Sequence, residues 1–349
     1  MKLVCENGHL LEAGSYWCPS CKRAYTLDEL SPIHDPGDYV DRWEIVERLC
    51  ILPMAALYRA RHRKQKVILK AALRGFDENL KREAKLLAQL PPHAALPVLI
   101  TTVEGQSSAY WKVAQGSTVQ YFTLFEDHSD PFLRDKLARQ PQLPTQIAGW
   151  IAAGIAEGIL CLQEEGRGLN VLNPEAVIIH EERSGVPRPI LFDWMASSRF
   201  GVQPPLSGVV TRFTPPEFLK GQVSQPQSDV YGLGAILYEL LAGKPLFGPQ
   251  VQATQALKES ILRRVPAPIS QIRPDLNPEI AGLVSRALEK TPELRQISVE
   301  EFLSSLTRHF GELPKPKSRF VIETHWIAII LILVITACAI AIVIALTKN

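Results

Sequence analysis

The residue types most able to do chemistry crowd the first 21 positions, where Cys5-x3-His9-x8-Cys18-x2-Cys21 brings three thiols and one imidazole together. Thiolates with an imidazole are a donor set that a tetrahedral zinc ion takes, and four protein ligands leave no open position for a substrate. Such a site folds a module and offers it to a partner rather than catalysing a reaction. Gly8 and Gly14 permit the tight turns required, and Pro19 stiffens the second knuckle. The opening MKLVCENGHLLEAG lacks the sustained apolar stretch of a secretory signal, so the thiols are expected in a reducing setting. A redox pair at Cys18 and Cys21, and plain unpaired thiols, are the competing readings of the same residues.

The elements that must carry this cluster sit in a chain of 349 residues, long enough for about two or three units. It is 46% hydrophobic and 21% charged, which supplies a core and excludes global disorder. A formal net charge of +2 is too balanced for a surface that tracks a phosphate backbone, so no nucleic-acid partner is expected. Six cysteines are too few for a disulfide framework at this length.

At the other end, IAIILILVITACAIAIVIAL runs from 327 to 346 without a charge, and a helix of that length matches the ~30 Å hydrocarbon layer. Trp326 stands at its entry edge, and Lys315, Lys317 and Arg319 outweigh Lys348 on the far side. The positive-inside bias then predicts a single-pass membrane anchor with the N-terminal bulk cytoplasmic.

Between the ends, SPIHDPG at 31–37 is rich in turn formers and reads as a linker over 31–38. Short apolar runs in 43–74 predict strands, and Leu80, Ala84, Leu87 and Leu90 have the spacing of a helix. YFTLFE at 121–126 reads as another strand, whereas 145–164, 228–243 and 279–291 read as helices. Trp43, Trp111 and Trp150 read as packing, and Cys161 and Cys338 as small buried hydrophobes. His34, His62, His93 and His180 stand in no ligand spacing, and RARHRKQK at 59–66 reads as a solvated hairpin.

The N-terminal segment, residues 1–30, resembles a small zinc ribbon in which one His replaces a Cys. Residues 39–310 resemble the eukaryotic-type serine/threonine protein kinase family. The resemblance is carried by SDVYGLGAILYELLAGKPLF at 228–247, by TPPEFLKGQ at 214–222 and by EKTPELRQIS at 289–298. It implies that Asp229 opens the family's central buried helix and that Glu217 pairs with the distant Arg295. A bidentate carboxylate–guanidinium bridge of that kind locks loop to helix without any catalysis. The resemblance further implies that Lys70, ending KVILK, grips nucleotide phosphates, that Glu83 pairs with it, and that Asp193 in LFDWM holds magnesium. ATP and magnesium are the cofactors it implies beside structural zinc. The expected fold is α+β and bilobal, kinase-like, preceded by the ribbon, followed by a juxtamembrane linker at 311–325 and one transmembrane helix at 326–347.

The chain departs from the family where the chemistry lies. The three glycine positions of the phosphate-covering loop fall at Cys50, Leu52 and Ala55, whose Cβ atoms resist positive φ and close approach to phosphate, and Pro53 removes a donor N–H. Trp194 and Met195 replace the Phe-Gly that follows the metal-binding Asp. GLNVLNPEAVII at 168–179 puts Val171 at the catalytic base position and Ala176 at the second metal ligand. Val has no lone pair for a substrate proton, and Ala offers no oxygen to magnesium. A one-residue shift would put Asn170 at the base position, still without a carboxylate. Three functions are therefore open: a membrane-anchored pseudokinase serving as scaffold or allosteric partner of other proteins, a weakly active kinase using Glu175 or Asp193, and a nucleotide sensor without transfer.

Overall fold

A computed structural model describes residues 2–5, 9–12, 15–26, 29–115, 118–181, 186–206, 209–248, 254–295 and 297–313. The expected membrane helix at 326–347, Cys338 and all but the first three residues of the expected linker at 311–325 lie outside them.

The N-terminal part holds two short antiparallel pairs. Strand β1 (Lys2–Val4) pairs with β4 (Ser31–Ile33), and β2 (Trp17–Cys18) pairs with β3 (Arg23–Ala24). The segment read from sequence as a linker thus contains a strand. Its turn-forming residues misled because Ser31 and Ile33 alternate inward around Pro32, paired with β1, with the Ser31 hydroxyl accepting from Arg74 N.

A six-stranded antiparallel sheet follows, built from β5 (Tyr39–Val40), β6 (Trp43–Ile51), β7 (Ala55–His62) and β8 (Gln65–Ala72). After helix α1 (Asp77–Leu87) come the small β9 (Thr102–Val103) and β10 (Gln106–Ser107) hairpin and the last two sheet strands, β11 (Trp111–Gln115) and β12 (Thr118–Glu126). The sheet order is β11-β12-β8-β7-β6-β5, and α1 packs against β12. The period of two along β8 sorts its side chains. Val67, Leu69 and Ala71 join a cluster with Trp43, Tyr58 and Phe122, while Ile68 joins the cluster of the second lobe. The basic 59–66 stretch forms the β7–β8 hairpin, turning between His62 and Gln65, with Arg61 bonded to Glu44 of the neighbouring strand.

The second lobe is mostly helical. Helices α2 (Leu133–Arg139) and α3 (Thr145–Gln163) precede β13 (Arg167–Gly168), β14 (Val177–Glu181), β15 (Pro187–Leu191) and β16 (Ser198–Arg199). Then come α4 (Pro216–Leu219), α5 (Pro226–Ala242), α6 (Thr254–Arg263), α7 (Ile269–Ile272), α8 (Pro278–Ala287) and α9 (Val299–Phe310). Helix α5 is buried from Ser228 to Leu241 and forms the axis of the lobe. It starts with Pro226 in its first turn, where no N–H is needed, and stops at Gly243, whose φ of 68° suits glycine. A Cβ on Gly234 would stand 2.5 Å from that of Ala287, so the lack of a side chain lets α5 and α8 touch. Helix α9 is closed by a reciprocal Ser298–Glu301 capping box.

Among the described residues, only Thr145–Gln163 is long and apolar enough to cross a membrane. It lies inside the second lobe, packed against α5, α9 and β15. The helix expected from Leu80, Ala84, Leu87 and Leu90 and those read over 145–164, 228–243 and 279–291 are present; the first ends at Leu87, short of Leu90, and the last at Ala287, before a single 3-10 turn at Pro292–Leu294.

Candidate functional site

Lys70 sits in the middle of β8, opposite Leu57 on one side and Thr123 on the other, and its side chain is 0% exposed. Its Nζ donates to Glu83 Oε1 at 2.7 Å, to the Phe192 carbonyl at 2.8 Å and to Asp193 Oδ1 at 3.3 Å. Helix α1 supplies Glu83, and the turn after β15 supplies Asp193, so three distant segments converge on one ammonium. Burial opposes the charge on Lys70, but the Glu83 and Asp193 carboxylates outweigh it and raise its pKa. Burial raises the Glu83 carboxyl as well, against the pull of Lys70. The three residues expected to form the nucleotide grip are thus brought together.

The turn after Asp193 is pinned. Trp194 donates its backbone N–H to Glu83 Oε1 at 2.7 Å and its indole N–H to the Leu191 carbonyl at 2.5 Å. Trp194 is buried in the second-lobe cluster, whereas Met195 is buried in the first-lobe cluster. The second Asp193 oxygen is also engaged, because Asn173 Nδ2 donates to Oδ2 at 3.3 Å. Sequence reasoning missed Asn173. Its position before Pro174 marks it as a cap, and its Oδ1 does accept from Glu175 N, but no local signal points across to Asp193.

Val171 is 6% exposed and packs in the apolar cluster that contains Met54, Met195, Ala196 and Val209. Val171, expected from sequence at the base position, is therefore hydrocarbon set among hydrocarbon. The alternative register gives nothing better. Asn170, at φ 70°, donates Nδ2 to the Ala196 carbonyl at 2.7 Å and to Ser198 Oγ at 2.9 Å, and its Oδ1 accepts from Ser224. Ala176 is buried and contributes only backbone, its carbonyl accepting from Phe192 N at 2.8 Å. Glu175 is 3.6 Å from Arg134 and lines a cavity of about 370 Å³ together with Pro53, Asn173, Thr211 and Phe247.

The loop expected to cover phosphates turns its side chains inward. Leu49, Cys50 and Leu52 are buried in the same cluster as Leu57, Ile68, Phe132, Ile178 and Phe192, so they pack across the two lobes. Burial pushes the Cys50 thiol up to about 12. Arg134 of α2 donates to the Leu49 carbonyl and faces Glu175, fastening the loop strand to the second lobe. Asn79 of α1 ties the far end, donating to the Met195 carbonyl at 3.2 Å and the Pro205 carbonyl at 3.0 Å, with Met54 Sδ at 3.3 Å.

The structure brings Glu217 and Arg295 together and buries Asp229. Arg295 bonds Glu217 through two parallel contacts of 2.7 Å, both side chains 0% exposed, and adds the Gln227 and Glu289 carbonyls. Asp229 accepts from Asn170 N at 2.8 Å, Leu169 N at 3.3 Å and Gln163 Nε2 at 3.0 Å. Burial raises its carboxyl to about 6 in spite of those donors.

At the N-terminus, the ligand atoms of Cys5, His9, Cys18 and Cys21 all lie within 4.8 Å of one another. A tetrahedral ion with ~2.3 Å bonds to sulfur sets sulfur–sulfur edges of about 3.8 Å and sulfur–nitrogen edges of about 3.6 Å. The observed edges are 3.8 Å for Cys5–Cys18, 3.7 Å for Cys5–Cys21, 3.5 Å for Cys5–His9 and 3.7 Å for Cys18–His9. Nδ1 of His9 is the ring atom turned inward, 3.2 Å from Cys21 Sγ. The donor set fits a zinc-like cation.

Residues 55–306 match the family described as the protein kinase domain. Serine/threonine-protein kinase PknB of Mycobacterium leprae is 27% identical over 298 residues, covering 80% of this chain and 45% of the relative. PknB of Mycolicibacterium smegmatis is 36% identical over 107 residues, 30% of this chain and 16% of the relative. A probable serine/threonine-protein kinase of Clostridium perfringens, CPE1738, is 24% identical over 280 residues, 77% of this chain and 38% of the relative. The chain spans less than half the length of these curated relatives.

Proposed function

The chain belongs to the protein kinase family, and from that premise we propose that it is a pseudokinase: a membrane-anchored scaffold or allosteric partner of other proteins, with weak or no phosphotransfer. The observation that carries this reading is Val171 at the base position, buried in an apolar cluster with Met54, Met195 and Val209. General base catalysis needs a lone pair near the proton it takes, and its loss alone costs about 10²–10⁴ in rate. The family suggests ATP and magnesium. The Lys70–Glu83–Asp193 constellation favours a second reading, a sensor that binds nucleotide without transferring phosphate.

The cluster at Cys5, His9, Cys18 and Cys21 takes structural zinc. The apolar 327–346 stretch anchors the chain in a membrane with its N-terminal bulk cytoplasmic, and the balanced charge speaks against nucleic acid as a partner.

Transfer of labelled phosphate from ATP by the purified full chain tests the reading. We expect none above background. Turnover that disappears in both Lys70→Ala and Asp193→Asn would overturn it and leave a weakly active kinase. A rise in thermal midpoint with ATP, without turnover, would select the sensor.

A further inference from the structure

We infer that the cation held by Cys5, His9, Cys18 and Cys21 is a structural element of the kinase-like first lobe, and that its loss loosens helix α1 as well as the ribbon. The inference rests on the zinc reading of that cluster and extends it to what the metal holds in place.

The ligand Cys5 follows directly on Val4, which is 0% exposed and packs with Ile33, Trp43, Tyr58 and Leu69 in the first-lobe core. His9 is tied to the same strand, since Cys5 N donates to the His9 carbonyl at 3.1 Å and Leu11 N to the Leu3 carbonyl at 2.9 Å. Strand β1 then passes the constraint to β4 through the Lys2–Ile33, Leu3–Pro32 and Val4–Ser31 pairs.

From β4 the connection enters the lobe at three places. Ser31 Oγ accepts from Arg74 N at 2.7 Å, three residues before α1 begins. His34 N donates to Tyr58 Oη at 3.2 Å, and His34 Nε2 lies 3.0 Å from Gln120 Oε1. Asp35 pairs with both Lys2 at 3.1 Å and Arg48 at 3.0 Å. Helix α1 carries Glu83, so the metal and the Lys70 pair are joined by a continuous run of short contacts. Without the cation, the five buried residues Cys5, Leu11, Cys18, Tyr25 and Leu30 are too small a core to keep the ribbon folded, and β1 and β4 keep only Val4 and Ile33 in the core of the lobe.

The test compares the full chain in detergent micelles with zinc bound and after stripping by a chelator, using metal analysis and amide hydrogen exchange. The expected result is one zinc per chain and, on stripping, roughly tenfold or greater loss of protection at 31–34, at Arg74 and in the first turn of α1, with α5 and α9 unchanged. Ser31→Ala cuts the bond to Arg74 while leaving all four ligands. It is expected to keep its zinc yet show a fast-exchanging first turn of α1 whether metal is present or not. Stoichiometric zinc whose removal changes only residues 2–26 overturns this inference and leaves the zinc reading intact. So does a Ser31→Ala chain whose α1 stays protected and still responds to metal. Absence of zinc, with no change on adding it, overturns both.

Discussion

Asn173 places its side-chain amide 3.3 Å from Asp193 Oδ2, on the side of the carboxylate opposite Lys70. Each oxygen of the carboxylate already accepts from a donor of the chain itself, Oδ1 from Lys70 and Oδ2 from Asn173. Magnesium demands oxygen ligands in near-ideal geometry and gives up water reluctantly, so a carboxylate engaged in this way is a poor first ligand. Any thermal response to ATP is therefore expected to be the same with magnesium as with EDTA. A response that requires magnesium, followed by scanning fluorimetry on the full chain, would contradict the geometry.

Restoring the base by Val171→Asp is expected to fail as a repair and to destabilise the fold. The new carboxyl would enter a site 6% exposed among Met54, Met195 and Val209, and an unpaired polar group there costs about 1–3 kcal/mol or more. Urea unfolding should show a lower midpoint, and phosphate transfer should remain at background.

Lys70 and Glu83 are both 0% exposed in side chain, so removing one strands the other charge. Lys70→Met is expected to cost about 3–5 kcal/mol, and the double variant Lys70→Met with Glu83→Leu less than either single change. Chemical denaturation of the three variants checks this; additive losses would show that the pair is not coupled.

Asp229 gives a pH signature. Burial raises its folded pKa to about 6 from the ordinary carboxyl value of 3.8, so between those values the folded chain binds more protons than the unfolded one. Its contribution is fully present below pH 3.8 and is lost as pH rises through about 6, a difference of roughly 3 kcal/mol at ~1.4 kcal/mol per pKa unit. The stability of the wild type minus that of Asp229→Asn should fall between pH 4 and 6 and flatten above. A difference that rises across that window would mean the carboxyl is instead held ionised by its three donors.

The second lobe was the most legible part of the sequence. The helices at 145–164 and 228–243 are long, strongly apolar and punctuated by Pro226 and Gly243, and they appear within two residues of the expected bounds. Glu217, Asp229 and Arg295 were found by motif, and each makes the contacts its type allows. Less legible was the 31–38 segment, where Pro and Gly outweighed the inward alternation of Ser31 and Ile33. Asn173 and Asn79 were missed because a polar residue near a turn or on a helix has a local account already. Their long contacts, to Asp193 and to Pro205, carry no period in the chain.

By itself, the sequence determined which chemistry is available: three thiols and an imidazole at ligand spacing, a lysine and two carboxylates at separate motifs, and hydrocarbon at positions 171 and 176. Those are facts of residue type, and no folding can supply Val171 with a lone pair. Only the tertiary structure decided that Lys70 closes onto Asp193, that Leu52 and Cys50 are buried between the two lobes, and that the N-terminal strand pair shares the core of the first lobe through Val4 and Ile33. Each of these joins residues far apart in the chain, and their meeting is set by which apolar faces can be buried together, a property of the whole packing rather than of any local run.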